Sequence, residues 1–201
     1  MKTSVAMCTY NGEKFIKEQI DSILKQSVSI DEIIVCDDGS SDKTLNILNE
    51  YSEKHINLFK IYSNEKNLRS LKNFEKAIQL CSGDIVFLAD QDDIWDRCKI
   101  FNQISLINRN DAEAVSSNVV AFWQKGRKIL VRKSQPQKEY DFLFESGGPG
   151  CTILMTSWLV GQIKHQLIVN HNATKVEMHD WLAYAICRAL KKKWLIDENP
   201  T

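Results

Sequence analysis

Ile85-Val86-Phe87-Leu88-Ala89-Asp90-Gln91-Asp92-Asp93-Ile94-Trp95 is the stretch whose reading decides the fold. Its five leading apolar residues read as a strand buried on both faces, the pattern of a parallel sheet covered by helices. The strand runs straight into three carboxylates within four positions. Like charges this close repel unless a cation sits among them, and an oxygen-only set suits a hard divalent ion such as Mg²⁺ or Mn²⁺. A solvated acidic turn capping the next helix is the competing reading. A second acidic strand end earlier in the chain weighs against it.

That second end belongs to Ile33-Ile34-Val35-Cys36, which leads into Asp37-Asp38-Gly39-Ser40-Ser41-Asp42. Before it lies a first unit: a strand over Val5–Cys8, a polar loop Thr9-Tyr10-Asn11-Gly12, and a helix with Phe15, Ile16, Ile20, Ile23 and Leu24 on one face. After it come a helix with Leu45, Leu48 and Tyr51 at helical spacing, capped by Ser40 or Ser41, and a third strand over Leu58–Tyr62. A third helical stripe of Leu71, Phe74, Ile78 and Cys81 leads back to the opening strand. Alternating β and α units predict a doubly wound, mostly parallel α/β sheet with its ligand site at the carboxyl ends of the strands.

Beyond Asp96 the pattern changes. Ile100, Phe101, Ile104 and Ile107 mark one more helix. Ala114–Phe122 and Lys128–Val131 then read as two strands joined around Lys125-Gly126, a small antiparallel edge. Ser146-Gly147-Gly148-Pro149-Gly150 is a glycine-rich loop where the backbone bends tightly or approaches something closely, and a short apolar segment, Cys151–Met155, follows it. The last helix places Trp181, Leu182, Ala185, Ile186, Ala189 and Leu190 inward, with His179-Asp180 at its start.

Composition bounds the rest. At 201 residues the chain suits one domain, divided here into a nucleotide-binding half, 1–96, and an acceptor-binding half, 97–201. With 26 basic and 26 acidic residues the formal charge is zero, so no global field attracts nucleic acid or an anionic membrane. The six cysteines lack zinc-like spacing and fit a reducing, cytoplasmic setting. No run approaches the ~20 apolar residues of a membrane span. In such a setting the acceptor-like Asn172-Ala173-Thr174 carries no meaning, and Lys191-Lys192-Lys193 reads as a solvated helix end complementing the dipole. The first turn holds one glycine instead of GxGxxG, which sets NAD and FAD aside, and there is no GxxxxGK phosphate loop.

Three motifs taken together, Cys8-Thr9-Tyr10-Asn11-Gly12, Val35-Cys36-Asp37-Asp38-Gly39-Ser40-Ser41-Asp42-Lys43-Thr44 and Leu88-Ala89-Asp90-Gln91-Asp92-Asp93-Ile94-Trp95, resemble those of family 2 inverting glycosyltransferases. The resemblance covers roughly the first half of the chain and implies the GT-A fold. It implies that Thr9 and Asp38 hold the nucleotide base, with Tyr10 and Asn11 beside them, that Asp90 sits near the ribose, and that Asp92 ligates a divalent metal bridging the diphosphate. Asp37 shares that work or bonds the backbone of its own turn; we favour the second. His179-Asp180-Trp181-Leu182 resembles the family's late helix start, which makes Asp180 the base that takes the acceptor's proton.

Adding Gly150-Cys151-Thr152 and His179-Asp180-Trp181 brings the resemblance to a bacterial rhamnosyltransferase-like branch that builds cell-wall and capsular polysaccharides. It implies dTDP-L-rhamnose as donor. It also implies a glycan or polyprenyl-linked glycan acceptor, peripheral membrane contact, and a sugar or acceptor side formed by Asp93, Trp95, Gly150, Cys151, Thr152, His179 and Trp181. A UDP-hexose or UDP-N-acetylhexosamine donor on the same fold and a catalytically weak nucleotide-binding module are the alternatives. A receiver-like signalling domain fits less well, because the late His-Asp pair would go unexplained. Members of this branch continue into a tyrosine-arginine-x-histidine type segment that closes over the diphosphate, whereas this sequence stops at Asp197-Glu198-Asn199-Pro200-Thr201. Either the domain is shortened at its C-terminus or closure is achieved otherwise; loss of the lid would lower turnover more than donor binding.

Overall fold

The chain is described here from a computed structural model that covers residues 1–123, 126–169 and 178–201. Strands β1 (Thr3–Thr9), β2 (Glu32–Asp37), β3 (Phe59–Ser63) and β4 (Ile85–Ala89) alternate with helices α1 (Ile16–Leu24), α2 (Thr44–Lys54) and α3 (Arg69–Leu80). Helix α4 (Lys99–Asn110) follows, then β5 (Ala114–Ser117), β6 (Val119–Phe122), β7 (Lys128–Val131), β8 (Leu154–Thr156), α5 (Ser157–Val169), α6 (His179–Ala189) and β9 (Trp194–Asp197). Seven strands form one sheet in the order β3-β2-β1-β4-β8-β5-β9. Within it β8 alone runs against its neighbours. The chain steps outward from β1 to β3 and then returns to the other side of β1, so the switch point lies where β1 adjoins β4.

Strands buried on both faces explain the apolar runs. Ala6, Ile34, Val86 and Leu88 face a layer made by α3, α5 and α6, through Phe74, Ile163 and Tyr184 among others. Val5, Met7, Ile33, Val35 and Phe87 face the opposite layer, through Ile20 of α1, Leu48 of α2 and Ile100 of α4. The result is the expected α/β/α sandwich. All six cysteines are unpaired thiols, and Cys8, Cys36, Cys81 and Cys187 serve as buried apolar groups.

Several local expectations change. The strand expected over Ala114–Phe122 breaks at Asn118, whose buried side chain accepts from Lys133 and Ser134 amides and donates to Glu198 and Ser134. Its first part joins the main sheet as β5. Its second part pairs with β7 as a separate antiparallel ribbon, and the turn residue expected at Lys125 lies outside the described residues. The expected helix faces are narrower, because Phe15 and Phe101 are exposed. The opening amide of α2 is taken by the Asp42 carboxylate at 2.9 Å, while Ser40 bonds elsewhere. Helix α5 and strand β9 complete elements that sequence periodicity left unassigned. The Asn172-Ala173-Thr174 triplet lies outside the described residues, and among those described no helix is long and apolar enough to cross a membrane.

At the amino ends of the strands, away from the switch-point loops, the start of β2 buries Glu32. Burial alone would raise its pKa, but bonds from Ser4, Lys60 and Ser82 outweigh it and hold the carboxyl at about 2. A carboxyl depressed in the folded state stabilises the fold above its ordinary pKa and loses that contribution as pH falls through the folded value. Glu32→Gln should therefore be less stable than the parent at neutral pH, the gap closing between about pH 5 and pH 2. Urea midpoints measured across that range check this; a gap that stays constant would show that the bonds to Glu32 do not depend on its charge.

Candidate active site

The carboxyl ends of β1, β2 and β4 are brought level by their parallel register, Thr9 opposite Asp37 and Met7 opposite Ala89. Neighbouring aspartates at the end of β2 have different duties. Asp37 is fully buried and accepts from the Thr9 hydroxyl at 2.8 Å, from the Ser40 amide at 2.9 Å and from the Ser40 hydroxyl at 2.5 Å. It builds its own turn, as favoured, and it commits the one O–H of Thr9. Asp38 accepts from Asn64 at 2.8 Å and from the backbone amides of Leu68 and Arg69 at 2.7 and 2.9 Å. It thereby fixes the entry of α3, where Arg69 adopts φ +66°.

A cleft of about 300 Å³ lies between these loops, lined by Thr9, Tyr10, Asp38, Arg69, Asp90 and Asp92 with several neighbours. Its roof depends on a residue the sequence did not single out. The Gln91 side chain accepts from the Tyr10 amide at 2.8 Å and donates to the Tyr10 carbonyl at 3.0 Å, continuing the β1–β4 pairing past the strand ends. Gly12 leaves room for it, because a Cβ there would fall 2.2 Å from the Gln91 oxygen and displace that side chain. Asn11 does not face the cleft. Its amide oxygen accepts from Ser41 at 2.8 Å and its own N–H donates to Ser40 at 2.9 Å, so it staples the first loop to the second.

At the end of β4, burial pushes Asp90 up to about 7, with the charges of Asp93, Asp92 and Asp180 adding to the shift. Asp93 is raised too, first by burial, and has the Cys151 thiol close by. Asp90, Asp93 and Cys151 can bring one ligand atom each within 4.8 Å of one another. Burial holds the Cys151 thiol protonated, so the hard donors on offer are carboxylates. Asp92, the expected ligand, is exposed at the rim, lining both the cleft and an adjoining groove of about 770 Å³. Asp90 and Asp93 lie close enough together to share a hard divalent ion. Trp95 is corrected: it is buried, tilted against Phe87 at 5.8 Å, and forms core below the cluster.

Asp180 stands in the first turn of α6 and is only 7% exposed. Its carboxylate accepts from the Ser146 hydroxyl at 3.1 Å and the Trp181 amide at 2.8 Å. A second cavity, about 460 Å³, has Asp180, Ser146, Arg132 and Lys133 in its wall. His179 stacks on Phe74 at 3.9 Å; burial lowers its pKa to about 4, so the ring is neutral, and its Nε2 is buried without a described partner. Gly150 lies against that ring, where a Cβ would come within 2.6 Å of Nε2. Thr152 is corrected as well: fully buried, its hydroxyl donates to the Pro149 carbonyl at 2.7 Å and ties a turn instead of facing a ligand. The Trp181 indole donates to the Phe142 carbonyl at 2.8 Å.

A family model described as glycosyl transferase family 2 matches residues 4–158. The dTDP-rhamnosyl transferase RfbG of Shigella flexneri is 38% identical over 200 residues, 97% of this chain and 69% of that protein. The UDP-Glc:alpha-D-GlcNAc-diphosphoundecaprenol beta-1,3-glucosyltransferase WfgD of Escherichia coli is 33% identical over 149 residues, 74% of this chain and 57% of that protein. Among solved structures, S. aureus TarS 1-349 in complex with UDP superimposes with a TM-score of 0.70 at 22% identity, covering 92% of this chain and 55% of that one. The mannosyltransferase PcManGT from Pyrobaculum calidifontis, in complex with GDP-Man and Mn²⁺, gives 0.71 at 19% identity, covering 99% and 55%. These two likenesses bear on the fold. The chain thus spans little more than half to about two thirds of the length of the proteins it matches.

Gln91→Ala removes both bonds to Tyr10 and should lower stability by about 1–2 kcal/mol, with Gly12→Ala having a similar effect by displacing the same amide. Thermal unfolding of the two variants measures this. A Gln91→Ala protein as stable as the parent would mean the amide does not hold the first loop.

Proposed function

The chain belongs to glycosyl transferase family 2, and on that premise we propose that the cleft, the acidic end of β4 and Asp180 form one centre that transfers a sugar with inversion. The donor is a pyrimidine nucleoside-diphosphate sugar, dTDP-L-rhamnose, and the acceptor is a hydroxyl of a glycan in surface-polysaccharide assembly. The observation that carries this reading is the single cleft that gathers Thr9, Tyr10 and Asp38 from the ends of β1 and β2 with Asp90 and Asp92 from the end of β4. Identity to a dTDP-rhamnosyl transferase over nearly the whole chain supports the choice of sugar.

Each residue has a physical reason for its part. Asp38 has three donors on a carboxylate that offers roughly four lone-pair sites, so one remains for the imide N–H of uracil or thymine. Tyr10 and Thr9 line the same cleft, and Asp90 lies where a ribose would follow the base. Asp90, Asp92 and Asp93 would hold a divalent Mg²⁺ or Mn²⁺. Bound there, the ion supplies charge stabilisation to the departing diphosphate. Asp180 takes the proton of the attacking hydroxyl at the oxygen that faces Ser146, as the new C–O bond forms opposite the breaking bond to phosphate. The acceptor occupies the cavity that Asp180 walls, with Ser146, Gly148 and Tyr184 around it. A polyprenyl-diphosphate-linked glycan is the acceptor class, in keeping with the name of the E. coli relative. It would bring the protein to the inner membrane face from the cytoplasm.

One observation keeps a UDP-sugar donor as the second reading: the imide N–H that Asp38 would select is common to uracil and thymine. A thermal-shift series with dTDP, UDP, GDP and ADP, each with Mn²⁺ or EDTA, separates the readings. A ligand at 100 times its Kd stabilises by about 2.7 kcal/mol, and metal-dependent stabilisation by dTDP above UDP is expected. Asp180→Asn should cut turnover by ~10²–10⁴-fold while leaving dTDP binding nearly unchanged. Transfer at the parental rate in that variant would remove Asp180 as the base, and stabilisation by no pyrimidine nucleotide would remove the donor site itself.

A further inference from the structure

The β6–β7 ribbon stands apart from the main sheet, and the transfer reaction described above leaves its outer surface without a use. Within it Val120 pairs with Leu130 and Phe122 with Lys128, so strand alternation puts three apolar side chains and one ammonium on one face. Val120, Phe122 and Leu130 are all exposed. Trp123, just past the end of β6, is 50% exposed and carries the Arg127 guanidinium over its ring at 5.4 Å. Charge singles out the same segment. Residues 118–138 hold six lysines and arginines and no aspartate or glutamate, in a chain whose 26 basic and 26 acidic residues otherwise cancel. Among the described residues, Arg127, Lys128, Arg132 and Lys133 form no ion pair. The ribbon is nonetheless fixed at its root, where the buried Asn118 accepts from the Lys133 and Ser134 amides.

We propose that this ribbon is a docking surface for an anionic phospholipid bilayer, with Phe122, Trp123 and Leu130 entering the headgroup region and Arg127 and Lys128 pairing with lipid phosphates. Charge complementarity chooses the occupant. A second copy of the chain would set six positive charges against six, and a nucleic acid would leave the aliphatic Val120 and Leu130 unburied. An anionic bilayer answers both, since lysine and arginine stems lie along apolar surface while their charged heads stay at the interface. The ribbon also borders the groove that reaches Asp92 and Asp93, and Arg132 and Lys133 belong to the wall of the Asp180 cavity. A docked ribbon keeps both openings close to the lipid surface. The proposal deepens the membrane contact that a lipid-linked acceptor entails and rests on that reading for its purpose; the docking surface itself stands on the ribbon.

Flotation of the whole chain with vesicles tests this, one set of equimolar phosphatidylcholine and phosphatidylglycerol and one of phosphatidylcholine alone. Binding to the first set that weakens as salt rises is expected, with little binding to the second. Lys128→Gln should weaken it by roughly fivefold, and Phe122→Ser by roughly tenfold. In vesicles with brominated acyl chains the tryptophan emission should be quenched, and Trp123→Phe should abolish the quenching. No flotation of the parent, or flotation that either Lys128→Gln or Phe122→Ser leaves unchanged, would overturn the proposal. Retention by a single-stranded oligonucleotide without vesicle binding would overturn it in favour of nucleic acid, and dimerisation lost in Phe122→Ser without vesicle binding in favour of a second copy. Flotation needs neither donor nor acceptor, so metal-dependent stabilisation by dTDP reports separately. That stabilisation without flotation keeps the transfer reading and removes the docking surface, and flotation without it does the reverse.

Discussion

Carboxylates gathered at the end of one buried strand repel one another and resist leaving water, and much of the surrounding architecture answers that cost. Asp90 and Asp93 are drawn in at the end of β4, the Cys151 side chain comes close to both, and the buried Lys99 of α4 donates to the Cys151 carbonyl. Asp180 approaches from α6 with its own charge balanced by a helix start and by Ser146.

A different division of labour holds at the end of β2. Asp37, the last residue of β2, is saturated by its own loop, while Asp38, one residue past the strand, fastens the start of α3 and keeps room for one more donor. The first organises the loop that the second presents. Gln91 does comparable work across the switch point, extending the sheet by one side-chain rung where the backbones have already diverged.

The first half of the fold was legible because its strands are unbroken apolar runs and its loops carry distinctive acidic signatures. The second half was less so. Helix α5 has apolar residues around much of its circumference, so no single stripe marks it, and β9 is four residues directly after a lysine run. Within the site, the structural reading of Asp37 was legible, and Asp38, Asp90 and Asp180, singled out by residue type and context, each line a cavity. Trp95 and Thr152 were misplaced because neighbours in sequence need not face the same way: both point into packed interior. Gln91 and Lys99 acquire their meaning only from partners on other elements. Lys99, Gln103 and Ile107 share one helix face and are all buried, yet a lysine and a glutamine in that stripe read from sequence as solvent-facing. Tertiary context reversed the local signal.

The reversed strand β8 lies between β4 and β5, so the sheet cannot be divided at residue 96 into two halves that each close their own edges. During synthesis this matters in time as well as in space. The first four strands can assemble as soon as β4 emerges, but the outer backbone of β4 then waits for Leu154–Thr156, and at roughly 5–20 residues per second that wait lasts several seconds. Throughout it a nearly all-apolar strand presents an unpaired edge, the kind of surface that recruits strands from other chains. The nascent protein is thus most exposed to misassembly midway through translation, and the slow arrival of one short antiparallel strand governs how much of it reaches the native sheet.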